Sequence, residues 1–172
     1  MRPEEKYIAM THEFYNDAIR LLNRRDIYDA AEKAWGAVEN ARKAFLVAIG
    51  VPEAKASSVE FGVTFFVKVL RKLNRKDLVE KYYSLDYCLH IKGFYEVQIP
   101  PEILQEKIYE VGEWISQILE LIDKVKNLDL SEAIKLMDES IKLKRKILQM
   151  STEYHKMLQQ VDVALSKALS LS

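Results

Sequence analysis

DIYDAAEKAWGAVENARKAFLVAIG, residues 26–50, is the stretch that decides the fold. Ile27, Ala31, Ala34, Val38, Ala41, Phe45 and Ala48 recur at three- and four-residue steps, so they fall on one side of a helix. The alanines in that stripe let a neighbouring helix approach closely. Trp35 lies beside Ala31, Ala34 and Val38 and is expected to be buried, with Gly36 making room for the contact. Asp26 can cap the first turn, because its carboxylate accepts orphan backbone N–H groups. Gly50 then Pro52 end the helix, since proline cannot extend it.

The same period runs outward in both directions. Pro3 to Asn23 reads as a preceding helix with Tyr7, Phe14, Ala18, Leu21 and Leu22 on one face. Ser57 and Glu60 fit a capping box that opens a third helix carrying Phe61, Phe65, Val69 and Leu73. A turn at Asn74–Asp77 leads to a fourth helix ending near Gly93, and Pro100–Pro101 open a fifth that reaches about Asn127. The expectation is an all-α bundle of five or six helices and no sheet. Five glycines and four prolines in 172 residues agree with that, because β-rich folds spend both on turns.

The last element, Ser131 to about Leu171, is out of proportion. An unbroken helix of that length is about 60 Å long, whereas a compact domain of this size has a radius of gyration of about 16 Å. The segment must break, near Gln149–Thr152, or project and meet a partner. Ile134, Met137, Ile141, Leu148, Leu158 and Leu165 keep an approximate heptad with gaps at Lys144 and Ser151. The chain therefore divides into a bundle, residues 1–128, and a helical extension, residues 129–172, expected to support a homodimer.

Lysine plus arginine equals aspartate plus glutamate at 26 each, so overall charge gives no reason to expect nucleic acid. Cys88 is the single cysteine, which excludes an internal disulfide and a cysteine-rich metal site and fits a reducing compartment. No apolar run is long enough to span a membrane, and the charged start MRPEEKYIAM lacks the apolar stretch of a signal peptide. A cytoplasmic protein is expected.

Catalytic motifs are missing. His12, His90 and His155 lie on separate helices, and none has a second ligand at metal spacing, so neither a metal nor a cofactor is expected. His90 sits among Tyr82, Tyr83, Tyr87, Phe94 and Tyr95. Read as packing, these tyrosines form an amphipathic face; read functionally, His90, Tyr87, Tyr95 and Glu96 wall a candidate pocket. Lys68, Arg71, Lys72, Arg75 and Lys76 share a stripe that would suit a phosphate backbone, of which Lys68, Arg71, Lys72 and Arg75 are the candidate nucleic-acid contacts. The alternative is a solvated face whose cations meet the negative end of a helix dipole. Lys142, Lys144, Arg145 and Lys146 wrap around their helix and form no such stripe.

Two segments together resemble a known family. Residues 26–50 resemble the second helix of HEPN helical domains, in particular their archaeal PaREP branch, at Ala31, Glu32, Lys33, Trp35, Gly36 and Ala37. CLHIKGFYEVQIPPEILQEKI, residues 88–108, resembles a later segment of that branch at Leu89, His90, Phe94, Tyr95 and Glu96. The resemblance covers about residues 10–125. It implies an up-and-down helical bundle that often dimerises and has links to nucleotides or RNA, or to a nucleotidyltransferase partner. Many such relatives are RNases with an arginine four to six residues before a histidine. None of the three histidines here has that arginine, so RNase activity is not carried over, because no cation is supplied for a developing phosphorane charge. The function expected is a non-catalytic binding or assembly module for nucleotide, RNA or a partner protein. The alternatives are an unorthodox RNase centred on His90 and a purely structural oligomerising protein.

Overall fold

A computed structural model describes residues 2–169, which are helical throughout apart from short connections and contain no strand. The α-helices are α1 (Pro3–Asn23), α2 (Ile27–Ala48), α3 (Glu53–Ala56), α4 (Thr64–Lys72), α5 (Lys76–Leu85), α6 (Pro101–Val125) and α7 (Ser131–Leu169). Two π-helical segments, Val59–Val63 and Asp86–Tyr95, run directly into or out of α-helices. The chain forms two compact units, Met1–Glu132 and Ala133–Ser172.

In the first unit α2 is the central element and packs against α1, α6 and the longer π segment. Its small residues explain why. Ala30, Ala31, Ala34, Ala37, Ala41 and Ala44 are all fully buried, so three neighbours can close on one helix without a gap. Gly36 belongs to the same surface: a Cβ there would lie 2.4 Å from the Phe14 ring of α1. The α1–α2 connection is tight, with Arg25 at a φ of 64°. Gly50 follows the end of α2 at a φ of 89°, which glycine adopts at no steric cost. Phe45, Phe66, Leu70, Leu85, Leu104, Ile108, Trp114 and Ile118 fill the interior, and the Trp114 indole N–H donates to the Leu78 carbonyl at 3.0 Å.

The structure departs from the expected elements in four places. There are more helical pieces than five or six, because α3 is a separate short turn and π segments subdivide two of the longer stretches. Ser58, not Ser57, caps the third stretch: its hydroxyl accepts from the backbone N–H of Phe61 at 3.1 Å and of Gly62 at 3.4 Å. Asp26 occupies the cap position of α2 without a side-chain cap bond. The fourth stretch ends at Tyr95, near Gly93 as expected, but from Asp86 onward it is π-helical rather than α-helical.

The second unit is a single helix by itself. α7 runs unbroken through Gln149–Thr152, where the Thr152 hydroxyl donates to the Leu148 carbonyl at 3.0 Å and no turn forms. No helix of the described residues is long and apolar enough to cross a membrane.

Candidate functional site

Glu32, Trp35, Glu39 and Arg42 are spaced so that all four fall on one face of α2. Opposite them stands the π segment. Its i→i+5 bonds widen each turn, so residues five apart sit nearly above one another. That geometry places Tyr95 over His90, with ring centroids 4.8 Å apart in an edge-on contact. The His90 ring stacks on Trp35 at 5.6 Å and 25°, and Trp35 in turn meets Tyr82 at 5.5 Å.

The polar contacts sort into a working half and a buried half. His90 Nδ1 lies 3.0 Å from Glu32 Oε2, with both side chains about one-third exposed. An ionised carboxylate only accepts, so in this contact Nδ1 is the donor to Glu32. Deeper in, Arg42 is fully buried. It donates to both carboxylate oxygens of Glu39 at 3.0 and 2.7 Å and to the Ala56 carbonyl at 2.8 Å. The Tyr82 hydroxyl donates to the same Glu39 at 2.9 Å.

Burial pushes the Glu39 carboxyl up, but the hydrogen bonds and charge of Arg42 outweigh it, helped by Tyr82 and Lys43, and the net shift is downward. Burial likewise lowers Arg42, and Glu39 more than restores it, leaving it raised. The Tyr82 hydroxyl is pushed far up by burial and by the Glu39 charge. Asp86, half-buried, is raised by burial and by Glu39 against the opposing pull of His90.

The electrostatic character follows. Glu32 and Asp86 both act on His90, whereas the cations on the same two segments are engaged elsewhere. Arg42 is held by Glu39, Lys92 pairs with Glu96, Lys33 lies 4.8 Å over the Phe14 ring, and Lys43 acts on Glu39. The His90 surface is therefore acidic and aromatic. Tyr83, Tyr87, Ile91 and Tyr95 recur every four residues along α5 and the π segment, and all four are exposed.

Of the four candidate pocket residues, the structure brings His90 and Tyr95 together. Glu96 is turned to Lys92, and Tyr87 is exposed with no ring contact or hydrogen bond to His90 among the described residues. The partners that sequence reasoning missed are Glu32, Trp35 and Asp86, whereas Tyr82 was among the tyrosines named around His90. Their signal was faint: Glu32, Glu39 and Arg42 are polar residues at helical spacing on a helix otherwise rich in buried alanine.

The candidate nucleic-acid stripe is divided. Lys68, Arg71 and Lys72 are exposed on α4, and their side chains make no hydrogen bond or ion pair among the described residues. Arg75 sits at the cap of α5, where it clamps Asp77 at 2.7–3.2 Å and bonds Gln117, so it is not part of a free cationic face. Among the described residues, no bond or ring contact joins the stripe to His90. His12 is exposed beside a groove of about 470 Å³ between α1 and α6, lined by Tyr15, Gly112, Ile115 and Leu119. His155 is exposed on α7. Among the described residues, no group of three or more His, Cys, Asp or Glu side chains is placed to hold a metal.

A family model described as the Archaeal PaREP1/PaREP8 family matches residues 6–115, a span that includes both motif segments and all of the His90 surface. No curated protein and no solved structure matches the chain.

Proposed function

The chain belongs to the archaeal PaREP1/PaREP8 family, and from that premise we propose that it is a non-catalytic, HEPN-like binding module of the cytoplasm that takes a cationic segment of a partner protein on its His90 surface. The observation that carries this is the Glu32–His90 bond. It ties one motif segment to the other and surrounds the half-exposed imidazole with carboxylates rather than cations. Such a surface attracts lysine or arginine and repels phosphate. The exposed tyrosines beside it supply faces for cation–π contact and large rigid contact area.

The same observation weighs against an RNase centred on His90. A pentavalent phosphorane beside His90 would meet the carboxylates of Glu32 and Asp86 rather than a cation to stabilise its charge.

Nitrogen-15 NMR titration with a short lysine/arginine-rich peptide and with a short single-stranded RNA tests this reading. The peptide is expected to shift the His90 and Trp35 side-chain signals, and Glu32→Gln to weaken it several-fold. RNA that moved the His90 signals while the peptide moved none would overturn it.

A second reading, RNA or nucleotide binding, is favoured by the three unpaired cations Lys68, Arg71 and Lys72. It uses a different face and predicts shifts in α4 alone.

A further inference from the structure

The heptad first apparent in the last helix, through Ile134, Ile141, Leu148, Leu158 and Leu165, is interrupted by Lys144 and Ser151. A different and better seam lies on α7. Leu143, Ile147, Met150, Tyr154, Met157 and Val161 follow alternating steps of four and three without a gap, and Ala164 and Ala168 continue it. The first six are large, apolar and exposed. Their period is 3.5 residues, the repeat that keeps one seam facing a partner helix as the two wind together. In that register Ile147, Tyr154 and Val161 occupy a positions, and Leu143, Met150 and Met157 occupy d positions. Leu158 and Leu165 fall at e, where they widen the seam towards the C-terminal end.

We propose that α7 pairs with α7 of a second copy of this chain, in parallel and in register, as a two-stranded coiled coil along the Leu143–Ala168 seam. The inference does not rest on the His90 reading, which concerns the other unit.

Three features choose this occupant and this direction. β-Branched residues at a with leucine at d favour two parallel strands, and Ile147, Val161 and Leu143 fit that rule. In a parallel pair, each g position faces the following e position of the partner. Glu139 at g then meets Lys144 at e of the second copy, twice by symmetry, and none of the remaining g–e pairs of the described helix sets like charges together. The interruption at Lys144 thus becomes part of the recognition. In an antiparallel pair with the seam fully overlapped, Lys146 would instead oppose Lys167 of the other copy, a like-charge contact. One helix supplying both signs at complementary positions is what a self-pairing surface requires.

The test uses the full chain with Cys88→Ser to remove the native thiol. Light scattering is expected to give a dimer. Met150→Glu with Met157→Glu should convert it to monomer while the fluorescence of Trp35 and Trp114 in the bundle stays unchanged, showing that the bundle remains folded. Under mild oxidation, Met150→Cys should cross-link to itself and Gln159→Cys, on the outer face, should not. A monomeric parent chain, or a dimer that survives the double glutamate change, would overturn the pairing. Cross-linking between Met150→Cys and Val161→Cys chains when mixed, with neither cross-linking alone, would overturn the parallel direction.

Discussion

Arg42 shows how a single residue ties the bundle together. Its guanidinium reaches from α2 to the Ala56 carbonyl of α3 while holding both oxygens of Glu39, which in turn accepts from Tyr82 of α5, so one buried charge pair connects three helices. Removing one member of a buried pair leaves the other uncompensated, at a cost of about 3–5 kcal/mol. Arg42→Ala is expected to lower the denaturation midpoint by that order, and the double change Glu39→Leu/Arg42→Met to cost less than Arg42→Ala alone. Equal or additive losses from the single and double changes in chemical denaturation would show that the pair is not coupled. Trp35 is buried beneath His90, and Trp35→Ala should cost about 3–5 kcal/mol; an unchanged midpoint would contradict that packing.

Two carboxyls on this face carry opposite pH signatures. Glu39 is lowered on folding, so its stabilisation is present above its ordinary 4.5 and is lost as pH falls through the folded value. Asp86 is raised on folding. Its contribution is present below its ordinary 3.8 and is lost as pH rises through the folded value, so at neutral pH its ionised form costs stability. Asp86→Asn should therefore raise the melting temperature at pH 7, with the gain disappearing below the ordinary aspartate range. A lower melting temperature at pH 7 would mean that Asp86 stabilises the fold as an anion.

At the scale of elements, caps and π geometry decide where helices begin and how their faces turn. Ser58 satisfies two orphan N–H groups at the start of the π turn before α4, and Ser57 satisfies none there. Ser58→Ala is expected to cost about 0.5–2 kcal/mol, and Ser57→Ala to stay within about 0.5 kcal/mol. Urea denaturation of the two variants distinguishes them, and a reversed order would return the cap to Ser57. The change from α to π at Asp86 also sets which side chains meet. It brings His90 and Tyr95 together at a five-residue spacing that a 3.6-residue turn would place on different faces.

For the whole molecule, the separation of charges underlies the two binding readings proposed above. The His90 surface is acidic, and the unpaired cations sit on α4. Purified protein is expected to show no metal-independent RNase turnover; cleavage abolished by His90→Ala would refute this. Any RNA bound should be lost on replacing Lys68, Arg71 and Lys72 with alanine, with the salt slope falling by about 0.7 per phosphate contact removed from a single strand. Arg75 is left out of that set because Asp77 and Gln117 hold it. RNA affinity that survived the triple change would leave the α4 stripe as a solvated face.

The sequence by itself determined the all-α class, the start and end of α2, and the likeness to the PaREP branch. Those properties are local: they depend on 3.6-residue periodicity, on a glycine at positive φ and on short runs of residue types. Only the tertiary structure decided which polar residues meet. Glu32 and His90 are 58 positions apart and belong to different elements, and no local pattern says that one will face the other. The structure also separated Arg75 from the stripe its spacing had placed it in. A helix that ends at Lys72 breaks the register that a continuous one would keep, and a turn then hands Arg75 to Asp77. The proposed seam on α7 is legible in the sequence as an unbroken run of three- and four-residue steps, and the structure adds that Leu143, Ile147, Met150, Tyr154, Met157 and Val161 are exposed along one unbroken helix.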